Sequence, residues 1–233
     1  MSRIAENLTQ VRQQIDISAV KSERNKENIT LLAVSKTRPA SDLKDAYDNG
    51  QRDFGENYLQ ESLDKIEVLK SLDITWHFIG PIQSNKTKPI AENFDWVHTV
   101  DRFKIAQRLS SQRPNDLTPL NICIQVNISE EASKSGCLPL ELPKLAEEIS
   151  KLPNINLRGL MAIPKATKNE DEQHLAFRKM KALQLELQKR HPHLDTLSMG
   201  MSGDIDAAIS EGATIVRIGT AIFGQRVKTV SSN

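Results

Sequence analysis

Lys36 follows the apolar run Leu31-Leu32-Ala33-Val34 and lies in Ser35-Lys36-Thr37-Arg38-Pro39. A lysine at the end of a buried strand is partly desolvated. Desolvation disfavours the ammonium and so frees the amine to attack a carbonyl. The same place also suits an exposed lysine that merely caps a strand. A second group of residues lies far away in sequence. Met199-Gly200-Met201-Ser202-Gly203-Asp204 and Arg217-Ile218-Gly219-Thr220-Ala221 bring together small residues, hydroxyls and backbone N–H groups, the donors a phosphate needs. Ordinary strand-to-helix turns favour Gly, Ser and Thr too. Arg217 ends the run Thr214-Ile215-Val216, where an arginine is out of place. It either donates to a bound ligand or pairs with an acid such as Asp204 or Glu211. His77 and His98 sit in apolar runs and read as satisfied core histidines. His191-Pro192-His193 is a helix-ending turn without metal-ligand spacing, and no metal is expected. No GxSxG, Walker A loop or GxGxxG is present.

These residues need elements to position them. Ile4, Leu8, Val11 and Ile15 recur at helical spacing, so the chain opens with an amphipathic helix. Short β-branched or apolar runs then follow at Ile29–Val34, Arg52–Phe54, Trp76–Ile79, Trp96–Val100, Asn121–Val126, Leu157–Met161, Thr196–Met199 and Thr214–Arg217, the second being the weakest. Helical patterns separate most of them: Ser41–Gly50, a stripe of Leu59, Leu63, Ile66 and Leu69, another of Phe103, Ile105, Ala106 and Leu109, then Leu142, Leu145, Ala146 and Ile149, Glu170–Arg190 before His191-Pro192, and Asp204–Gly212. Strand–helix alternation predicts a parallel sheet, and eight units fit a single closed (β/α)8 TIM-type barrel with an extra N-terminal helix. An open doubly wound sheet is the rival, because periodicity does not reveal closure. No linker, repeat or low-complexity segment divides residues 1–233, so one domain is expected. In such a barrel the active face lies at the C-terminal ends of the strands, often with phosphate held after strands seven and eight. Lys36, Gly55-Glu56-Asn57-Tyr58, Ser202-Gly203 and Gly219-Thr220 all fall there.

The bulk properties narrow the class. A chain of 233 residues suits one α/β barrel, which is routinely ~200–250 residues long. With 31 basic and 30 acidic residues it lacks the basic excess of a nucleic-acid binder. Cys123 lies in Ile122-Cys123-Ile124 as a small core hydrophobe, and Cys137 lies in a polar loop. Neither has disulfide or metal spacing, which suits a reducing cytoplasm. No apolar run approaches a membrane span or a signal peptide, so no membrane partner is expected.

In order along nearly the whole chain stand Leu31-Leu32-Ala33-Val34-Ser35-Lys36-Thr37, Phe54-Gly55-Glu56-Asn57-Tyr58, Trp76-His77-Phe78-Ile79-Gly80, Gly159-Leu160-Met161-Ala162-Ile163-Pro164, Leu197-Ser198-Met199-Gly200-Met201-Ser202 and Val216-Arg217-Ile218-Gly219-Thr220-Ala221-Ile222-Phe223-Gly224. Together these resemble the pyridoxal phosphate homeostasis protein family, also called the YggS-like proteins. The resemblance implies a barrel like the N-terminal domain of alanine racemase, with pyridoxal 5'-phosphate (PLP) as cofactor. It implies that Lys36 forms the Schiff base, that Ser202, Gly219 and Thr220 bind the phosphate, that Arg217 faces the pyridine nitrogen and that Asn57 lines the pocket. An arginine only donates hydrogen bonds and stays charged, so it would keep that nitrogen unprotonated and weaken the ring as an electron sink. The related racemases and decarboxylases add a second domain and a partner subunit. Here the eighth unit runs into Gln225-Arg226-Val227-Lys228 and a short polar tail, which leaves no room for such a domain.

The expected protein is therefore a cytoplasmic, monomeric PLP carrier without robust turnover and without a catalytic residue, serving vitamin B6 homeostasis and handing cofactor to apo PLP-dependent enzymes. The rivals are a PLP-dependent racemase or decarboxylase using Lys36 as base, a cofactor-free Schiff-base aldolase acting on a sugar phosphate, and a pure interaction module. Lys134, in Ser133-Lys134-Ser135-Gly136, is either a second amine on the same face or a solvated loop lysine.

Overall fold

Eight parallel strands pair in sequence order, and the eighth returns to the first to close a barrel. The computed structural model describes residues 2–131 and 133–225. The strands are β1 (Thr30–Val34), β2 (Asp53–Glu56), β3 (Thr75–Phe78), β4 (Trp96–Val100), β5 (Leu120–Gln125), β6 (Ile155–Met161), β7 (Thr196–Ser198) and β8 (Ile215–Ile218). Helices lie outside them: α1 (Arg3–Lys21), α2 (Ala40–Asp48), α3 (Leu59–Val68), α4 (Thr87–Asn93), α5 (Phe103–Gln112), α6 (Leu142–Ile149), α7 (Glu170–Gln188), α8 (Ile205–Ser210) and α9 (Thr220–Phe223). Parallel strands are covered on both faces, so they read as continuous apolar runs rather than as alternation. In β8 all four residues are buried, Arg217 among them. The closed barrel agrees with the sequence-based expectation, and closure removes the open-sheet rival.

Two helices carry no clear sequence signal. In α4 only Thr87, Ile90 and Ala91 are buried, and Pro89 lies within it, so no apolar stripe announces it. The four-residue α9 is too short for periodicity. The weak second strand is real and extends to Glu56. In α3 the stripe differs from the expected one: Ser62 and Lys65 are buried, whereas Leu63 and Ile66 are only half-buried. Cys137 also departs from expectation. It bridges to Val126 and is buried, and burial pushes its thiol up to about 12, as it does that of Cys123.

The extra helix α1 begins with Ser2, whose hydroxyl accepts from the Ala5 amide, and it lies over α8 and α9. Asn7 donates to the Ile222 carbonyl at 2.8 Å, and just beyond the helix Arg24 reaches the Ile209 and Ala213 carbonyls. It thus seals the seam where β8 meets β1. No helix among the described residues is long and apolar enough to cross a membrane. The expectation that no second domain follows rests on residues 226–233, outside the described residues.

Close approach of β6 and β7 depends on Gly159. A Cβ there would lie 1.8 Å from the Thr196 carbonyl oxygen, a backbone atom that cannot move aside alone. Gly159→Ala is expected to destabilise the barrel by about 2–4 kcal/mol through forced separation of the strands. Urea denaturation followed by circular dichroism checks this, and an unchanged midpoint would mean that β6 and β7 do not meet as described.

Candidate functional site

All six residues marked out in the sequence meet in one cavity at the C-terminal mouth of the barrel. Lys36, Asn57, Ser202, Arg217, Gly219 and Thr220 line a space of about 380 Å³ with Val34, Ile79, Met161, Ile163, Met201 and Gly203. One wall is therefore apolar, while a lysine, a guanidinium and a set of small polar residues face it. Lys134 is not part of this lining; its ammonium pairs with Glu131 at 3.1 Å. Among the described residues no cluster of histidine, cysteine and acidic side chains could hold a metal.

A rim of small and polar residues comes from the ends of β7 and β8. Gly200 adopts φ +96, a left-handed conformation that turns the chain out of β7. Asp204 then accepts from the Met201 amide at 2.6 Å and closes the short turn that presents Ser202 and Gly203. The amides of Ser202, Gly203 and Thr220 donate to no protein acceptor among the described residues, so they remain available to an anion. Gly219 is small for a reason beyond ligand approach. A Cβ there would stand 3.1 Å from the Val34 carbonyl oxygen, so the glycine lets β8 end against β1.

Arg217 is buried, and burial pulls its guanidinium down to about 10, an effect opposed by Asp204. It remains a cation at neutral pH. Its partners are not the acids considered above: Nη1 donates to Ser198 Oγ and Nη2 to the Ala162 carbonyl, each at 2.9 Å. Glu211 instead pairs with Arg178 and His174. Asn57 adds a diagnostic atom, because its buried Oδ1 has no hydrogen-bond partner among the described residues. A buried unsatisfied acceptor beside a cavity is what a missing ligand donor leaves behind.

Beneath Lys36 lies a charged cluster that the sequence reading did not identify. Lys65, on α3, donates to the Ser35 carbonyl at 2.9 Å, to Glu56 Oε1 at 2.7 Å and to Glu61 Oε1 at 2.6 Å. Glu56 also accepts from the Ser35 hydroxyl at 2.5 Å, and Glu61 accepts from the Thr37 amide at 2.6 Å. Both neighbours of Lys36 are thus tied to one ammonium–carboxylate cluster. The tie to Glu61 accompanies φ +64 at Thr37, an uncommon conformation for a non-glycine residue. Burial raises the Glu56 carboxyl above its usual range, although Lys65 and Ser35 act to lower it. The available signal was a lysine in phase with the buried face of α3, and the neighbouring leucines obscured it.

Residues 2–227 match the family model of the alanine racemase N-terminal domain. The chain is 60% identical over 226 residues to the pyridoxal phosphate homeostasis protein of Pseudomonas aeruginosa, with 97% of each chain covered. It is similar in structure to PipY of Synechococcus elongatus with PLP bound, at 37% identity and a TM-score of 0.83, over 95% of this chain and 100% of PipY. The alanine racemase of Corynebacterium glutamicum shares the fold at 19% identity and a TM-score of 0.68, covering 96% of this chain and 61% of the racemase.

The cluster beneath Lys36 yields a pH-dependent expectation. Lys65→Met leaves Glu56 buried without its cation, at a cost of about 3–5 kcal/mol at neutral pH. A carboxyl raised in the folded state holds its proton more tightly folded than unfolded. Its contribution is full below the unfolded pKa and is lost as pH rises through the folded one. Removal of Lys65 raises the folded value further, so the variant is expected to lose more stability at about pH 7 than at about pH 5. Urea midpoints at both pH values test this, and equal losses at the two would refute it.

Proposed function

The chain belongs to the family of the alanine racemase N-terminal domain, and we propose that it binds PLP in the barrel-mouth cavity and serves the homeostasis of that cofactor. When bound, the cofactor would supply an aldehyde able to condense reversibly with an amine, with loss of water. Lys36 is the amine in this reading, and the cluster of Lys65, Glu56 and Glu61 fixes its backbone. Ser202, Gly203, Gly219 and Thr220 take the phosphate, and Asn57 Oδ1 gains the donor it lacks. Arg217 would face the ring nitrogen. The observation that carries the reading is the convergence of these residues, from the ends of β1, β2, β7 and β8, on one cavity that also holds an orphaned acceptor.

We further read the protein as a carrier rather than an enzyme. Arg217 only donates, so at the ring nitrogen it would leave that atom unprotonated and the ring a weak electron sink. Among the described residues the cavity lining holds Lys36 and Arg217 but no carboxyl, imidazole, thiol or phenol to move a substrate proton. Support also comes from relatives named for homeostasis that match over nearly their whole length. In this reading one barrel domain, acting as a cytoplasmic monomer, limits the free aldehyde and passes cofactor to apo PLP-dependent enzymes.

Incubation with PLP is expected to give a yellow protein that borohydride reduction fixes at one position. Peptide mass mapping should find the label on Lys36, and Lys36→Ala should lose both the colour and the label. A label fixed elsewhere would overturn the site. Sustained turnover of an amino acid, abolished in Lys36→Ala, would replace the carrier with a racemase or decarboxylase.

A further inference from the structure

A file of polar side chains runs through the barrel from the cavity to the opposite end. Interiors of such barrels are ordinarily filled by branched apolar residues in layers. Here Arg217 Nη1 meets Ser198 Oγ at 2.9 Å, and Ser198 Oγ meets His98 Nδ1 at 2.7 Å. His98 Nε2 then meets His77 Nδ1 at 2.9 Å, and His77 Nε2 meets Asp53 Oδ1 at 3.0 Å. Arg217, Ser198, His98 and His77 are all buried. Asp53, the first residue of β2, is 29% exposed and borders a cleft at the N-terminal ends of the strands. Trp96 stacks on His77 at 5.6 Å and holds that ring in plane.

Hydrogen-bond chemistry gives the file one direction. A guanidinium only donates, so Ser198 Oγ accepts from Arg217 and its own proton goes to His98 Nδ1. A neutral His98 then carries its proton on Nε2 and donates to His77 Nδ1. His77 in turn carries its proton on Nε2 and donates to the Asp53 carboxylate. Burial, with His77 and Arg217 nearby, holds His98 well below the usual imidazole range, which agrees with a neutral ring. Reversed tautomers would point His98 Nδ1–H at a hydroxyl that already accepts from Arg217, and would leave the serine proton without an acceptor in the file.

We infer that Ser198, His98, His77 and Asp53 are positioning residues that fix the orientation of Arg217, so that a carboxylate at the barrel floor fixes the acceptor that holds the group beside the cofactor ring. This rests on the reading that Arg217 faces the ring nitrogen of PLP. A file that merely satisfied buried polar groups would affect stability alone. One that orients Arg217 also affects the bound chromophore. Asp53→Asn keeps the shape but replaces a pure acceptor with a group that can also donate, so both file directions become available. In the reversed one Ser198 Oγ accepts twice and its own proton loses the His98 acceptor, which loosens the hold on Arg217.

The test uses the PLP-loaded protein and reads the visible absorbance band and the rate of PLP release to an excess of a competing amine. Asp53→Asn is expected to shift the band and to speed release about fivefold, the worth of one net hydrogen bond. Asp53→Glu, which restores a carboxylate, should return both readouts toward the parent. Glu27→Gln, in the same cleft but outside the file, should leave both unchanged. Parent-like readouts in Asp53→Asn would overturn the inference, as would equal changes in Glu27→Gln, which would indicate a general field effect. Should Asp53→Asn not fold, Ser198→Ala cuts the file at its other end and is expected to give the same shift; a parent-like band there would likewise overturn it. Failure of the parent to take up PLP would instead sink the cofactor reading.

Discussion

The interior of this barrel is organised by the need to satisfy a buried guanidinium. Removal of a charge from water costs several kcal/mol unless neighbours replace its hydration. Arg217 sits in the middle of a strand whose other residues are aliphatic and buried, so its partners must come from across the barrel. The Ala162 carbonyl beyond β6 and the Ser198 hydroxyl on β7 supply them. Ser198 then needs an acceptor of its own, and that requirement passes through His98 and His77 until Asp53 meets solvent. One misplaced-looking residue in β8 thus accounts for both histidines, although those had read as unrelated core residues.

A second buried charge system works on the other side of the cavity by different means. Lys65 and Glu56 are both nearly inaccessible, and Ser35 joins them, its carbonyl accepting from Lys65 and its hydroxyl donating to Glu56. A pair of this kind adds little net stability but makes any other arrangement expensive. Its product here is geometric. The chain leaving β1 is pinned on both sides of Lys36, which places the amine at the mouth on a rigid element instead of a loose loop. The backbone at Asn57 is held in the same region, because Gly80 leaves room for the Asn57 carbonyl; a Cβ at Gly80 would come within 2.1 Å of that oxygen.

The parts of the molecule legible in the sequence are those whose signal is local. Parallel strands buried on both faces write themselves as apolar runs, so the eight-strand order and the amphipathic α1 follow from pattern. Residues at the ends of those strands could then be gathered by the rule that barrel chemistry sits there, which brought Lys36 together with Ser202 and Gly219. Pattern fails where burial is polar. Lys65 occupies a core position of α3 through partners on β2 and the β1–α2 loop, contacts separated by up to 30 residues in sequence. Cys137 looked like a loop residue because its neighbours are polar, yet a bridge to Val126 buries it. The partner of Arg217 was sought among acids, while the structure uses a hydroxyl and a carbonyl that no charge pattern reveals.

The likeness to alanine racemase at 19% identity fixes the fold and leaves the chemistry to the lining. A site accelerates a reaction only through contacts that are stronger in the transition state than in the bound state. The contacts available here are a lysine, a donor-only guanidinium and a rim of hydroxyls and amides, all suited to the groups that PLP carries at rest. Of these only the lysine amine can take up a proton, and among the described residues the lining holds no carboxyl, imidazole, thiol or phenol to work with it. In the carrier reading proposed above, contacts to the cofactor at rest raise occupancy, and binding that is uniform along a reaction lowers no barrier. The same eight strands can therefore host different chemistry, according to which groups reach the mouth.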